Sequence, residues 1–204
     1  MRLKHTCYAV LAMAVCSIAA SQEVGWRDAN GKPAPDTESR KTSNGFAGWV
    51  LTTSDPDWEA KWNTPEHETP SFSGADTVRM GETVYTLIFI VNAKPDEKGE
   101  VNVLCDLKVT RPDGTASIDQ KKIDCLKGAL PGNPYNMRLA APVLGFVGEP
   151  SDPVGTWRVD VTLYDVPRGV TMDLHTSFEL LDGAQATASQ KSLAPTSLLN
   201  QPVD

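Results

Sequence analysis

The sequence predicts an all-β domain, an antiparallel sandwich with one short helix and flexible termini. Three observations carry this. Short β-branched and aromatic runs recur along residues 46–181. Several of them alternate apolar and polar residues with a period of two. Gly- and Pro-containing turns punctuate the runs, and no long segment repeats every 3.6 residues.

The chain opens with Arg2 and Lys4, followed by an apolar run from Cys7 to Ala20 and small residues to Ser21. Basic head, short apolar middle and small-residue end form the pattern of a secretory signal peptide, residues 1–21. The apolar run is shorter than the ~20 residues that span a bilayer as a helix. Cys16 follows Val15, which matches a lipoprotein signal poorly. An exported protein of the bacterial periplasm or exterior is expected, with no membrane span. Residues 22–45 are polar and aperiodic and read as a flexible leader, with Trp26 their large apolar residue. Residues 182–204 read as a flexible tail.

Within the domain, Phe46–Thr53 is the first strand. A short helix follows over 54–62: Ser54 or Asp55 can cap it, Pro56 suits its first turn, and Trp58 and Trp62 share a face. Thr83–Asn92 is apolar on both faces. With Tyr85, Leu87, Phe89 and Val91 placed in the core, Val84, Ile88 and Ile90 form an outward apolar stripe that needs cover. Val101, Val103, Cys105, Leu107 and Val109 share the inner face of the next strand, and Arg111-Pro112-Asp113-Gly114 turns the chain back into Thr115–Ile123. Val143–Val147 is short. Thr156–Asp165 points Trp157, Val159, Val161 and Leu163 inward. Val170–Leu180 does the same with Val170, Met172, Leu174, Phe178 and Leu180.

Cys7 and Cys16 fall in the signal peptide, which leaves Cys105 and Cys125 in the exported chain. In an oxidising compartment an even pair is most simply a disulfide. A straight hairpin about Pro112–Gly114 sets Cys105 opposite Lys121 and Cys125 opposite Val101, roughly 13 Å away along the strand. A disulfide needs Cα atoms within about 7 Å. The bridge therefore requires residues 118–125 to bulge or fold back.

The run Asp152-Pro153-Val154-Gly155-Thr156-Trp157-Arg158-Val159 resembles the corner of immunoglobulin-like domains, where an Asp-x-Gly-x-Tyr run starts the penultimate strand. Here one residue is inserted and Trp replaces Tyr, so the tyrosine hydroxyl's bond to the backbone is lost. The resemblance implies an immunoglobulin-like sandwich and carries no functional residues with it.

Formal charge is −7, and removing residues 1–21 takes away two basic residues, giving 17 basic against 26 acidic, or −9. That argues against attraction to nucleic acid or anionic lipid, which works through clustered Lys and Arg. Two histidines remain. His67 lies among acids and prolines, and His175 sits on the outward face of the last strand, opposite Asp160 if Asp165 pairs with Val170. Neither occupies a nucleophile, zinc or phosphate-loop motif, so no catalytic residue, metal ligand or cofactor is expected.

The residues that stand out are Trp58, Trp62, Val84, Ile88 and Ile90. The reading they favour is a non-catalytic interaction domain whose partner is another envelope or extracellular protein. A carbohydrate-binding module stacking sugars on Trp58 and Trp62 is the alternative. An enzyme or metal carrier is the third class.

Overall fold

A computed structural model describes residues 25–27, 30, 32–65 and 70–183. The expected signal peptide, most of the tail and His67 lie outside the described residues. The fold is a sandwich of two five-stranded sheets. One sheet holds β1 (Arg40–Ser43), β2 (Phe46–Thr53), β4 (Thr83–Val91), β7 (Arg138–Leu139) and β8 (Leu144–Val147). Its order is β1-β2-β4, with β7 and β8 both pairing antiparallel to the far side of β4. The second sheet runs in the order β3-β10-β9-β5-β6, from β3 (Thr77–Arg79), β10 (Val170–Leu181), β9 (Gly155–Asp165), β5 (Glu100–Thr110) and β6 (Ala116–Ala129). The β3–β10 pair alone within these sheets is parallel.

Alternation explains the second sheet. Val101, Val103, Cys105, Leu107 and Val109 of β5 are buried on one face, as are Trp157, Val159, Val161 and Leu163 of β9 and Val170, Met172, Leu174, Phe178 and Leu180 of β10. The expected register holds as well: Asp165 pairs with Val170, which sets His175 opposite Asp160 and Asp173 opposite Thr162.

The disulfide Cys105–Cys125 spans a Cα–Cα distance of 5.8 Å, and the hairpin is distorted to allow it. Its register slips between Val109 and Thr110, between Cys105 and Leu107, and between Val103 and Leu104. Each slip inserts one extra residue in β6, so Cys105 opposes Ile123 instead of Lys121. Val103 pairs with Leu126 and Leu104 with Asp124, which leaves Cys125 as the extra residue of the last slip. At the middle slip Lys122 takes a positive φ of 53°, and its N–H donates to Asp106 Oδ1 at 2.8 Å.

The facing of β4 is the reverse of the sequence expectation. Val84, Ile88 and Ile90 lie in the main core between the sheets, each at most 1% exposed. Tyr85, Leu87 and Phe89 point away from it, aligned with Thr53, Leu51 and Trp49 of β2. The reason is steric. Gly48 of β2 lies opposite Ile90, and a Cβ there would come within 2.7 Å of Leu163 Cδ1 and 3.1 Å of Met172 Sδ. The inner face is too closely packed for the alternative set, Trp49 with Phe89. The β-branched residues fit inside, and the aromatic ones are left for the outer face.

The leader also departs from expectation. Arg40–Ser43 is strand β1, paired antiparallel with β2, and Trp26 packs edge-on against Trp49 with ring centroids 6.3 Å apart. The helix α1 is shorter than expected, Trp58–Trp62, with Asp57 at its N-cap and no side-chain cap. Asp55 is not that cap. Its Oδ2 accepts from Ser73 N–H at 2.8 Å and meets Lys61 Nζ at 3.0 Å, which ties the helix to the chain after it.

Candidate functional site

Four of the five tryptophans gather on the outer face of the first sheet. Phe89, fully buried, is the centre: Trp49 lies 5.1 Å from it, Trp62 5.5 Å and Phe72 5.8 Å between ring centroids. Trp58 packs on Tyr85 at 5.9 Å, and Trp26 on Trp49. Helix α1 thus lies over β4 and presents both tryptophans downward, as the i, i+4 spacing requires. Trp26, Trp49, Trp58 and Trp62 remain half-buried. The Arg40 guanidinium stands over the Trp26 ring at 5.3 Å, and Trp26 Nε1 donates to Lys41 O at 3.2 Å.

The sequence-selected residues therefore separate into two groups. Trp58 and Trp62 are on the outer face. Val84, Ile88 and Ile90 are core residues and touch no solvent. Sequence reasoning missed Tyr85, Phe89 and Trp49. The signal available for them was Gly48 beside Trp49, since adjacent residues of a strand face opposite sides and a glycine on the inner face puts the tryptophan on the outer one.

A cleft of about 560 Å³ opens beside Tyr85, between Ser54 and Pro56 on one side and Thr77 and Arg79 on the other. Its charged residues, Arg79 and Glu82, pair with each other at 3.9 Å.

Several titratable groups tie separate segments together. Asp165 is buried; its Oδ2 accepts from Lys94 N–H at 3.0 Å and from Arg168 Nε at 2.9 Å. Arg168 also donates to Asn44 O at 2.9 Å and Asn92 O at 2.6 Å, so one side chain joins the β1–β2 turn, the end of β4 and the β9–β10 turn. Burial favours the neutral form of Asp106, but the Lys122 N–H, the Tyr164 hydroxyl at 3.0 Å and the neighbouring Lys121 charge outweigh it and hold the carboxyl below its ordinary range. The Ser73 N–H and Lys61 do the same for Asp55. His175 Nδ1 lies 3.4 Å from Glu38 Oε2. Among the described residues no three His, Cys, Asp or Glu side chains converge to hold a metal ion. No helix among them is long and apolar enough to cross a membrane.

The strand edges differ in kind. β6 is long but bulged and carries Lys121, Lys122 and Lys127, the features that discourage edge pairing. The open side of β1 is covered by the preceding turn, where Thr37 N–H donates to Arg40 O at 2.7 Å and Thr42 N–H to Asp36 Oδ2 at 3.2 Å. β3 has three residues, one of them Arg79. β8, Leu-Gly-Phe-Val, carries no charge, and among the described residues no backbone bond reaches its side away from β4. Val147 is 49% exposed at its end.

No family model matches the chain, and no curated protein is similar enough in sequence to match. Solved structures resemble it distantly. An alkylpurine DNA glycosylase from Pseudomonas fluorescens, bound to DNA containing an abasic site analog, aligns at 13% identity and TM-score 0.34, over 52% of this chain and 27% of that one. A family 123 glycoside hydrolase from Clostridium perfringens aligns at 10% identity and TM-score 0.36, over 66% and 27%. The CARDB domain of a Pyrococcus furiosus protein in complex with di-metal ions aligns at 10% identity and TM-score 0.35, over 72% of this chain and 99% of that one.

Proposed function

We propose that this chain is an exported, non-catalytic interaction domain of the bacterial periplasm or exterior, and that its partner is another protein of that compartment. The observation that carries the reading is the contrast between the chain's engaged chemical groups and its open surface. Asp55, Asp106, Asp165 and His175 each have a fixed partner within the fold. The surface offers instead half-buried tryptophans and an uncharged strand edge, and aromatic residues of that kind are enriched in protein interfaces. A Cys105–Cys125 disulfide suits an oxidising compartment. The basic head and apolar run of residues 1–21 suit export.

The carbohydrate alternative loses ground on geometry. Trp58 and Trp62 each lay a ring against Tyr85 or Phe89, inclined at 48° and 41°. Both side chains are half-buried and are used in packing the helix onto the sheet. The test is to recover the disulfide-bonded chain from the envelope of its host, identify the protein that co-elutes in fixed stoichiometry, and titrate the two purified proteins by calorimetry. Saturable binding supports the reading. Turnover of a glycoside or ester substrate, or retention on insoluble polysaccharide in place of protein binding, overturns it.

A further inference from the structure

The geometry points to strand β8 as the place where the partner binds, by adding an extended, uncharged segment as a further strand of the first sheet. This deepens the interaction-domain reading and rests on it.

The argument begins with the direction of the backbone groups. Gly148 N–H donates to Glu82 O at 3.2 Å, just beyond the last paired residues, Thr83 and Val147. In an antiparallel ladder the residues that exchange bonds alternate with residues whose N–H and C=O point to the other side. Gly148, Phe146 and Leu144 therefore bond to β4. Gly145 and Val147 aim their backbone groups away from it, and both are exposed. The same alternation holds further along the same side of β4, where Ala140 N–H donates to Ile88 O at 2.8 Å.

An outward N–H and C=O pair at every second residue is matched by an extended peptide backbone and by few other ligands. Beside this edge the Tyr85 ring packs next to Gly145, with Trp58 behind it. A side chain of the added strand would rest on that aromatic wall. Charge says which segment fits: Leu144–Val147 carries none, so a charged strand would lose solvation for no partner. Size says what kind of partner. Two outward residues give an edge far smaller than the ~1,000 Å² that a stable dimer of this chain needs. A short extended segment of another protein fits the edge without that area.

The test places a photo-crosslinking amino acid at Val147 of the full-length chain in its host envelope, with a control at Val166, an equally exposed valine in the β9–β10 turn. The expected adduct forms at 147 and not at 166, and maps to an uncharged segment of one other protein. A synthetic peptide of that segment should then protect the Gly145 and Val147 amides from hydrogen exchange. Val147→Pro removes an outward N–H and leaves the ladder to β4 intact. It should keep the melting temperature while weakening the peptide at least tenfold, and Val147→Lys should weaken it similarly. An adduct to a second copy of the chain, or to its own residues 184–204, overturns the proposal. So does a partner that crosslinks elsewhere and not at 147, an outcome that leaves the interaction-domain reading standing. No stoichiometric partner at any position overturns both.

Discussion

The indole N–H of Trp157 donates to the carbonyl of Pro153, four residues upstream, at 3.1 Å. The bond ties the ring to the turn that leads into β9. The ring itself is 1% exposed, stacked with Phe178 and 4.7 Å from Phe146. Trp157→Ala should cost about 3–5 kcal/mol, as large aromatic truncations in cores do. Trp157→Phe keeps a ring but leaves the Pro153 carbonyl unpaired, at about 1–3 kcal/mol. Urea denaturation of both variants checks the pair. Losses below ~1 kcal/mol for both would remove Trp157 from the core.

The disulfide should be present in the exported protein, where mass spectrometry without reductant finds two hydrogens fewer than in the reduced chain. With the cysteines 20 positions apart in sequence, the double Cys→Ser variant should lose roughly 3 kcal/mol in the chain-entropy account. Two alkylatable thiols in correctly exported protein would contradict the structure.

Arg168 should be the most sensitive charged residue. Arg168→Ala leaves the fully buried Asp165 carboxylate with only the Lys94 N–H. It also strips the Asn44 and Asn92 carbonyls of their donor. Removing one partner of a buried pair costs about 3–5 kcal/mol. Arg168→Ala with Asp165→Asn together should recover part of that loss, read from the denaturation midpoints of the three variants.

Asp55 predicts an acid limb. Its carboxyl is held below the ordinary range by the Ser73 N–H and by Lys61. A carboxyl depressed in the folded state contributes stability that is present above its unfolded pKa, near 3.9. That stability is lost as pH falls through the folded value. Asp55→Asn should therefore be less stable than the parent at pH 7, by about 1–2 kcal/mol. The difference should shrink below pH ~4. A gap that stays constant to pH 2 would mean the carboxylate contributes through shape and not charge.

Much of the fold was legible because most strands are half-buried and alternate. β5, β9 and β10 announced their inner faces, and the β9–β10 register followed from one turn. The cysteine spacing demanded the bulges that β6 contains. What was hidden lay where alternation carries no information. β4 is apolar on both sides, so its period has no phase, and only the packing of Gly48 against Leu163 and Met172 fixes it. β1, β3 and β7 are short edge or near-edge strands whose residues are largely polar, and polar edges read as loops. The aromatic face is half-visible in the sequence: Trp58 and Trp62 share one helix face, but Tyr85 and Phe89 read as core residues.

The central claim is that Trp58 and Trp62 close the outer face of β4 and do not serve as a sugar platform, so that binding falls to the protein's open edge. Trp58→Ala with Trp62→Ala tests it most directly, with thermal unfolding and retention on insoluble polysaccharide measured side by side. Removing two half-buried indoles should cost about 3–5 kcal/mol in all. At about 2–4 °C per kcal/mol for a chain of this size, the melting temperature should fall by roughly 6–20 °C, and neither the parent nor the variant should be retained on polysaccharide. An unchanged melting temperature, with polysaccharide retention present in the parent and lost in the variant, would contradict the account and make the two tryptophans the ligand site.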